Sequence, residues 1–295
     1  MTRPLQIGFK TSPQSATWAT LDETWAAAGE LGGFDSAWMN DHLTDPRVDR
    51  GGASFEAVTV MAALAHHVPG LWLGHAVLSA TFRHPAMLAK QATVLDQVTG
   101  GRFIVGLGAG WHEGEHETFG IPLPPMRERF DRFESQIHVL RALFSPEASR
   151  PDGVTRADPF YPLDGATNEP PPSRPGGPPI WLGGQKTRGL RLAADLADGW
   201  LLPAGGDGLP EFVERRAAIL GRLEETGRDG SAFAFAAQVA TGETAAARRE
   251  ALAAARAYVD AGATDVIVGI PANGGADALE AVAREVVAPL RDAAN

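Results

Sequence analysis

The 295-residue chain is 44% apolar and 21% charged, the composition of a globular protein with a large core. Its formal charge of −10, with 26 Lys and Arg against 36 Asp and Glu, speaks against nucleic acid as a main partner. Cysteine is absent, which excludes disulfides, thiolate catalysis and iron–sulfur ligation, and no run of ~18 apolar residues spans a membrane.

The opening Met1-Thr2-Arg3-Pro4-Leu5-Gln6 does not lead into a signal-peptide core, so a soluble cytoplasmic protein is expected. Eight short β-rich runs follow in chain order: Leu5–Lys10, Ser36–Asn40, Leu71–Leu78, Phe103–Leu107, Pro179–Leu182, Gly199–Leu202, Phe233–Val239 and Asp265–Ile270. Most are continuously apolar, as strands buried on both faces are. Helical stripes lie between them. Trp18, Leu21, Trp25 and Ala28 make one; Met126, Phe130, Phe133, Ile137, Leu140 and Phe144 make another; Leu279, Val282, Val286 and Leu290 make a third.

Strand–helix alternation along the whole chain means parallel strands with crossover helices. Eight such units predict an α/β fold of the closed (β/α)8 TIM-barrel type, one domain over 1–295. A doubly wound sheet is the alternative. The proline- and glycine-rich stretch at about 145–179 has no helical period and reads as an insertion after the fourth unit, either a functional lid or a solvated polyproline segment.

A barrel of this kind carries its chemistry at the C-terminal ends of its strands, and four clusters fall there. Asn40-Asp41-His42 closes the second strand; an aspartate can orient an imidazole for proton transfer, though the pair also reads as a turn cap beside a surface histidine. Gly106-Leu107-Gly108-Ala109-Gly110-Trp111 closes the fourth, where glycines let backbone approach a flat ligand and Trp111 can wall it. The dinucleotide-binding glycine spacing is absent, and no helix start is expected directly after it. Gly183-Gly184-Gln185-Lys186-Thr187-Arg188 follows the fifth strand and opens a helix, which suits a phosphate or makes a plain tight turn. His112-Glu113-Gly114-Glu115-His116 matches the zinc-protease pattern, but Gly114 weakens the required helix and no third ligand stands at an obvious spacing, so no metal is expected. Among the other histidines, His66, His67 and His138 read as structural or surface residues, His75 as inside the third strand and aimed at the barrel mouth, and His84-Pro85 as a helix start.

Several stretches together resemble the luciferase-like monooxygenase superfamily of barrel flavoenzymes, particularly its coenzyme F420-dependent oxidoreductase branch. They are Gly33-Phe34-Asp35-Ser36-Ala37-Trp38 with Asp41-His42, Leu73-Gly74-His75-Ala76-Val77-Leu78-Ser79, Phe82-Arg83-His84-Pro85, Thr99-Gly100-Gly101-Arg102, Gly106 to Trp111 with Glu115-His116, and Pro179-Ile180-Trp181-Leu182-Gly183-Gly184 leading to Ala197-Asp198-Gly199-Trp200. Their order runs over essentially the whole chain.

The resemblance implies a barrel that binds F420 or, alternatively, FMN, with the insertion covering the pocket. It puts Asp41 and His42 at the reactive ring, with His42 as the catalytic residue. A non-prolyl cis peptide at Ala76-Val77 would prop the ring, and Ser79 would reach its edge. Gly108, Gly110 and Trp111 would line the cofactor, and Gly183, Gly184, Gln185 and Lys186 would meet its phosphate.

Two departures stand out. Trp111 occupies the place of a glutamate proton donor in the branch's sugar-phosphate dehydrogenases, leaving Glu113 and Glu115 as the nearest substitutes. Gln185-Lys186-Thr187-Arg188 also differs from the tail-binding pattern. The implied activity is hydride transfer between F420 and a small organic substrate. The rivals are an FMN monooxygenase using reduced flavin and O2, and a cofactor-binding protein without turnover. A separate cofactor reductase and a homo-oligomer, with Ala57–His67 and Ala86–Val98 as contact faces, complete the expectation.

Overall fold

A computed structural model describes residues 3–48, 52–202, 208–271 and 274–294. Eight parallel strands build the barrel: β1 (Gln6–Thr11), β2 (Ser36–Met39), β3 (Trp72–His75), β5 (Phe103–Gly108), β8 (Ile180–Gly183), β9 (Gly199–Leu201), β10 (Ala234–Ala240) and β11 (Asp265–Gly269). The pairing of β3 with β5 closes the ring. A two-residue strand β4 (Leu78–Ser79) continues β3 along β5. All eight expected strands are present.

Side-chain alternation divides each strand between two compartments. Trp38, Ile104, Trp181, Leu201, Ala236 and Ile267 point inward and fill the barrel, with the Trp38 and Trp181 rings 5.3 Å apart and tilted by 31°. Their neighbours Phe9, Leu73, Phe103, Trp200 and Val266 point outward into the layer beneath the helices.

The helices are α1 (Trp18–Leu31), α2 (Ala57–Leu64), α3 (Pro85–Thr99), α4 (Glu113–Phe119), α5 (Met126–Phe144), α6 (Thr187–Leu196), α7 (Leu209–Glu225), α8 (Ala245–Asp260), α9 (Gly275–Val282) and α10 (Ala288–Ala294). On α5, Phe133, Ile137, Leu140 and Phe144 are buried, each contributing about 2 kcal/mol, while Met126 is exposed. On α1, Leu21, Trp25 and Ala28 are buried but Trp18 lies outside the stripe, edge-on to Phe55. As expected, His84 caps α3 and Pro85 opens it, because proline sacrifices no hydrogen bond at that position.

The stretch at 145–179 is more ordered than its composition suggests. It holds a 3-10 turn (Pro146–Ser149) and an antiparallel hairpin of β6 (Val154–Arg156) and β7 (Leu163–Ala166). Its proline-rich half is strapped along α3. Asn168 donates to Thr93, Lys90 donates to the Glu169 carbonyl, and the Ser173 and Arg174 amides donate to Asp96. Nearer the hairpin, Tyr161 walls a cavity of about 460 Å³ between Phe82 and α5, lined also by Ala80, Thr81 and Ala109 just past the ends of β4 and β5.

Candidate active site

The floor of the mouth is set by a bulge between β3 and β4. Gly74 pairs with Ile104 and Leu78 with Leu107, so four residue steps on one strand face three on β5. The extra residue falls at the Ala76–Val77 peptide, which is cis, as the family resemblance implied. Glycines make room for it. A Cβ on Gly106 would sit 1.7 Å from the His75 carbonyl, and one on Gly108 would sit 2.8 Å from Val77 Cγ2. Gly183, across on β8, is equally bare toward Val77, so the bulge lies under a shelf of backbone that a flat ring can approach.

Plain alternation along β3, ahead of the bulge, decides where His75 goes. It was expected to aim at the mouth, but it is the outward residue next to inward Gly74, and it packs against Phe103. Burial lowers its pKa to about 4, so it is neutral in the outer core.

Asp41 and His42 do lie together at the end of β2, but with different partners. Asp41 takes Arg83 on both oxygens and accepts the Ser79 amide at 2.9 Å. Arg83 also meets Glu56. Asp41 thus straps β4 to β2.

His42 is held from α4. Its Nδ1 lies 2.8 Å from Glu115 Oε2, and the other oxygen of Glu115 accepts the Leu43 and Thr44 amides at 2.6 and 3.1 Å. Glu115 is 1% exposed. Burial alone would raise its pKa, but the hydrogen bonds from His42, Thr44 and Leu43 prevail and hold it below the ordinary carboxylate range. An ionised carboxylate only accepts, so Nδ1 of His42 carries the hydrogen and Nε2 is the open nitrogen. Trp111, 65% exposed, stands edge-on to His42 at 5.9 Å and walls the rim.

A helix begins just after the glycine segment, where none was expected. His112 caps α4, its Nδ1 accepting the Glu115 amide at 3.1 Å, and Gly120 ends it in the left-handed conformation. His116 gives its Nδ1 to the His112 carbonyl, and its Nε2 lies 2.7 Å from Thr81 Oγ1, which meets Ser79 Oγ at 2.8 Å. The two histidines of the zinc-like pattern therefore serve the helix and the strand edge. Among the described residues no group of three or more His, Asp or Glu is arranged to hold a metal. Glu113 is exposed at the helix start, and Glu115 is the partner of His42, a role that sequence reasoning missed.

On the far side, Gly184 packs against Gly189, and its carbonyl accepts the Trp200 indole N–H at 2.9 Å. Gln185 and Lys186 are exposed ahead of α6, whose first amides have no side-chain cap. Arg188 is taken by Asp131 and Glu134.

A closed barrel of eight parallel strands with its polar and glycine-rich segments at the C-terminal strand ends defines the class of the protein, an α/β barrel. The chain matches the luciferase-like monooxygenase family over residues 6–290 and belongs to it. It is 32% identical over 232 residues to an F420-dependent glucose-6-phosphate dehydrogenase of Microbacterium testaceum, a match covering 77% of this chain and 65% of that one. The matched region thus spans slightly under two thirds of that relative's length. Among solved structures, an F420-dependent secondary alcohol dehydrogenase in complex with an F420-acetone adduct superposes with a TM-score of 0.77 at 19% identity, covering 96% of this chain and 99% of that one. The monooxygenase RslO1 from Streptomyces bottropensis superposes with a TM-score of 0.74 at 19% identity, covering 97% and 99%. These likenesses support the fold. Among the described residues no helix is long and apolar enough to cross a membrane.

Proposed function

We propose that the chain is a coenzyme F420-dependent oxidoreductase that moves a hydride between the deazaflavin and a small organic substrate. The observation that carries this reading is a bare backbone shelf on β5 and β8 in the same barrel mouth as His42, which Glu115 holds just past the end of β2. The relative from Microbacterium testaceum, F420-dependent by name, supports the cofactor. When bound, the deazaflavin supplies the hydride chemistry.

The chain's own residues do the rest. Ala76, Val77, Gly108, Gly110 and Gly183 would support the ring, with Ser79 at its edge. Gly184, Gln185, Lys186 and the amides opening α6 would hold the phosphate. His42 would hold or release a proton at the substrate oxygen, oriented by Glu115. Trp111 would narrow the rim against water.

Glucose 6-phosphate is not carried over as the substrate. Trp111 replaces the glutamate donor implied by the resemblance, and Glu115 is committed to His42. The proposal also includes a cytoplasmic location, a separate reductase that renews the cofactor, and self-association through α3.

Titration of the stripped protein with F420 and with FMN, read by fluorescence quenching, tests the assignment. Saturable F420 binding with much weaker FMN binding is expected. The reverse preference would make the chain an FMN monooxygenase and O2 consumption the next assay.

A further inference from the structure

The barrel mouth has two unlike halves. Toward β3, β5 and β8 it is bare backbone around Val77. Toward β1, β2 and β10 it is polar, with Lys10, Ser12, Asn40 and Gln238, and nothing in the function argued above uses these groups.

Lys10 lies at the C-terminal end of β1, on the face opposite Phe9, so its side chain enters the barrel. It reaches across β11 to Gln238 Oε1 on β10. Gln238 is neutral and is itself held by its Nε2 donating to the Leu202 carbonyl. The groups beside Lys10 in register, Trp38 on β2 and Gly269 on β11, are uncharged as well. Lys10 has no ion-pair partner among the described residues, and two of its three N–H donors are unspent. A half-buried cation without a counter-ion is costly.

Donors are in surplus nearby. Asn40 gives Nδ2 to Gln14 Oε1 at 2.6 Å and Ser12 gives its hydroxyl to the same oxygen, which leaves Gln14 Nε2 buried without a partner. Asn40 Oδ1 is the one unpaired acceptor of that cluster.

We infer that the polar half of the mouth is the substrate subsite, and that Lys10 pairs there with a carboxylate on the substrate. The substrate class is then a small 2-oxo or 2-hydroxy acid. This rests on the oxidoreductase reading above. In the oxidising direction the hydroxyl-bearing carbon would give its hydride to oxidised F420, the hydroxyl proton would pass to the open Nε2 of His42, and the carboxylate would stay ionised on Lys10; reduction is the reverse of this step. An unpaired ammonium in an uncharged mouth selects an anion over a neutral ketone of the same shape. Desolvation lowers the pKa of Lys10 from 10.5 to about 8, so this selectivity is greatest near neutrality and fades above that value.

The test is calorimetric titration of the F420-loaded protein with 2-oxobutanoate and with butan-2-one. Wild type should bind the oxo acid about tenfold or more tighter than the ketone, a preference worth at least ~1.4 kcal/mol. Lys10→Met should abolish the preference without changing F420 quenching, and Lys10→Arg should keep part of it. Raising the pH from 7 to 9 should weaken the oxo acid alone. Equal binding of the two probes by wild type overturns the inference. So does a Lys10→Met protein that loses both probes equally or loses F420 binding instead, since Lys10 then serves the fold or the cofactor. If wild type binds no F420, the oxidoreductase reading fails separately; the same two probes on the bare protein still decide whether Lys10 selects the carboxylate.

Discussion

His42 and Glu115 are 73 residues apart in sequence and 2.8 Å apart in space. One carboxylate oxygen fixes the imidazole, and the other fixes the backbone on which the imidazole stands. Glu115→Gln tests what this does for chemistry. The amide can keep the backbone bonds through its oxygen, but it presents an N–H to Nδ1 and so drives the hydrogen to Nε2. If Nε2 is the working nitrogen, kcat should fall about 10²–10⁴-fold, with F420 affinity held within about twofold. His42→Ala should do the same. A cofactor-binding protein without turnover would show no such loss in either variant.

Arg83 and Asp41 make a buried, bidentate pair that ties the strand after the bulge to the end of β2. Removing one partner leaves the other charge buried, which costs about 3–5 kcal/mol. Arg83→Met should therefore lower the melting temperature and weaken F420 binding together. Melting by circular dichroism beside a quenching titration checks this. A destabilised variant with unchanged F420 affinity would separate the strap from the ring site.

The barrel was legible because its strands are continuous apolar runs and its helices carry stripes, two signals local to each segment. His84-Pro85 was legible for the same reason. What escaped was everything fixed by phase or by long-range pairing. In the unbroken run from Trp72 to Leu78, nothing marks which residues face inward, so His75 was assigned to the wrong compartment. The pairing of Asp41 with Arg83, 42 residues away, left no local trace. Glu115 sits on a helix of seven residues containing Gly114, too short to show a period, and its link to His42 exists only once the barrel closes. The unexpected start of α4 had one readable signal, a capping histidine followed by acidic residues in the first turn.

Gly108 and Val77 are in contact through a missing side chain. A methyl group at Gly108 would meet Val77 Cγ2 at 2.8 Å and push it, or the shelf, out of place. Gly108→Ala should reduce F420 affinity by about tenfold or more, and adding Val77→Ala should recover part of the loss. The double-mutant cycle then gives a coupling of about 0.5–3 kcal/mol, as expected for residues in contact. Additive effects would mean that the shelf and the bulge do not share the ring.

On α3, Met87, Val94 and Val98 are 59%, 55% and 58% exposed and fall on one side of the helix. If this stripe is the self-association face, Val94→Glu with Val98→Glu should shift the protein to monomer in light scattering with melting nearly unchanged. An unaltered mass would place any contact elsewhere.

Lys10 makes a stability prediction that needs no ligand. Its pKa is about 8 in the folded chain and 10.5 as the ordinary value. Between those values the unfolded chain binds more protons, so stability should rise with pH across that window. Below about pH 8 both states are protonated and the full desolvation cost is present; above about 10.5 neither is, and the cost is gone. A difference of this size is worth on the order of 3 kcal/mol. Lys10→Met should therefore be the more stable protein at pH 7, and the gap should close as pH rises toward 10.5. Urea unfolding of both proteins from pH 7 to 10 measures it. Parallel curves would mean that the ammonium finds enough water or another partner in the mouth. The subsite proposal would then lose the unpaired charge on which it depends.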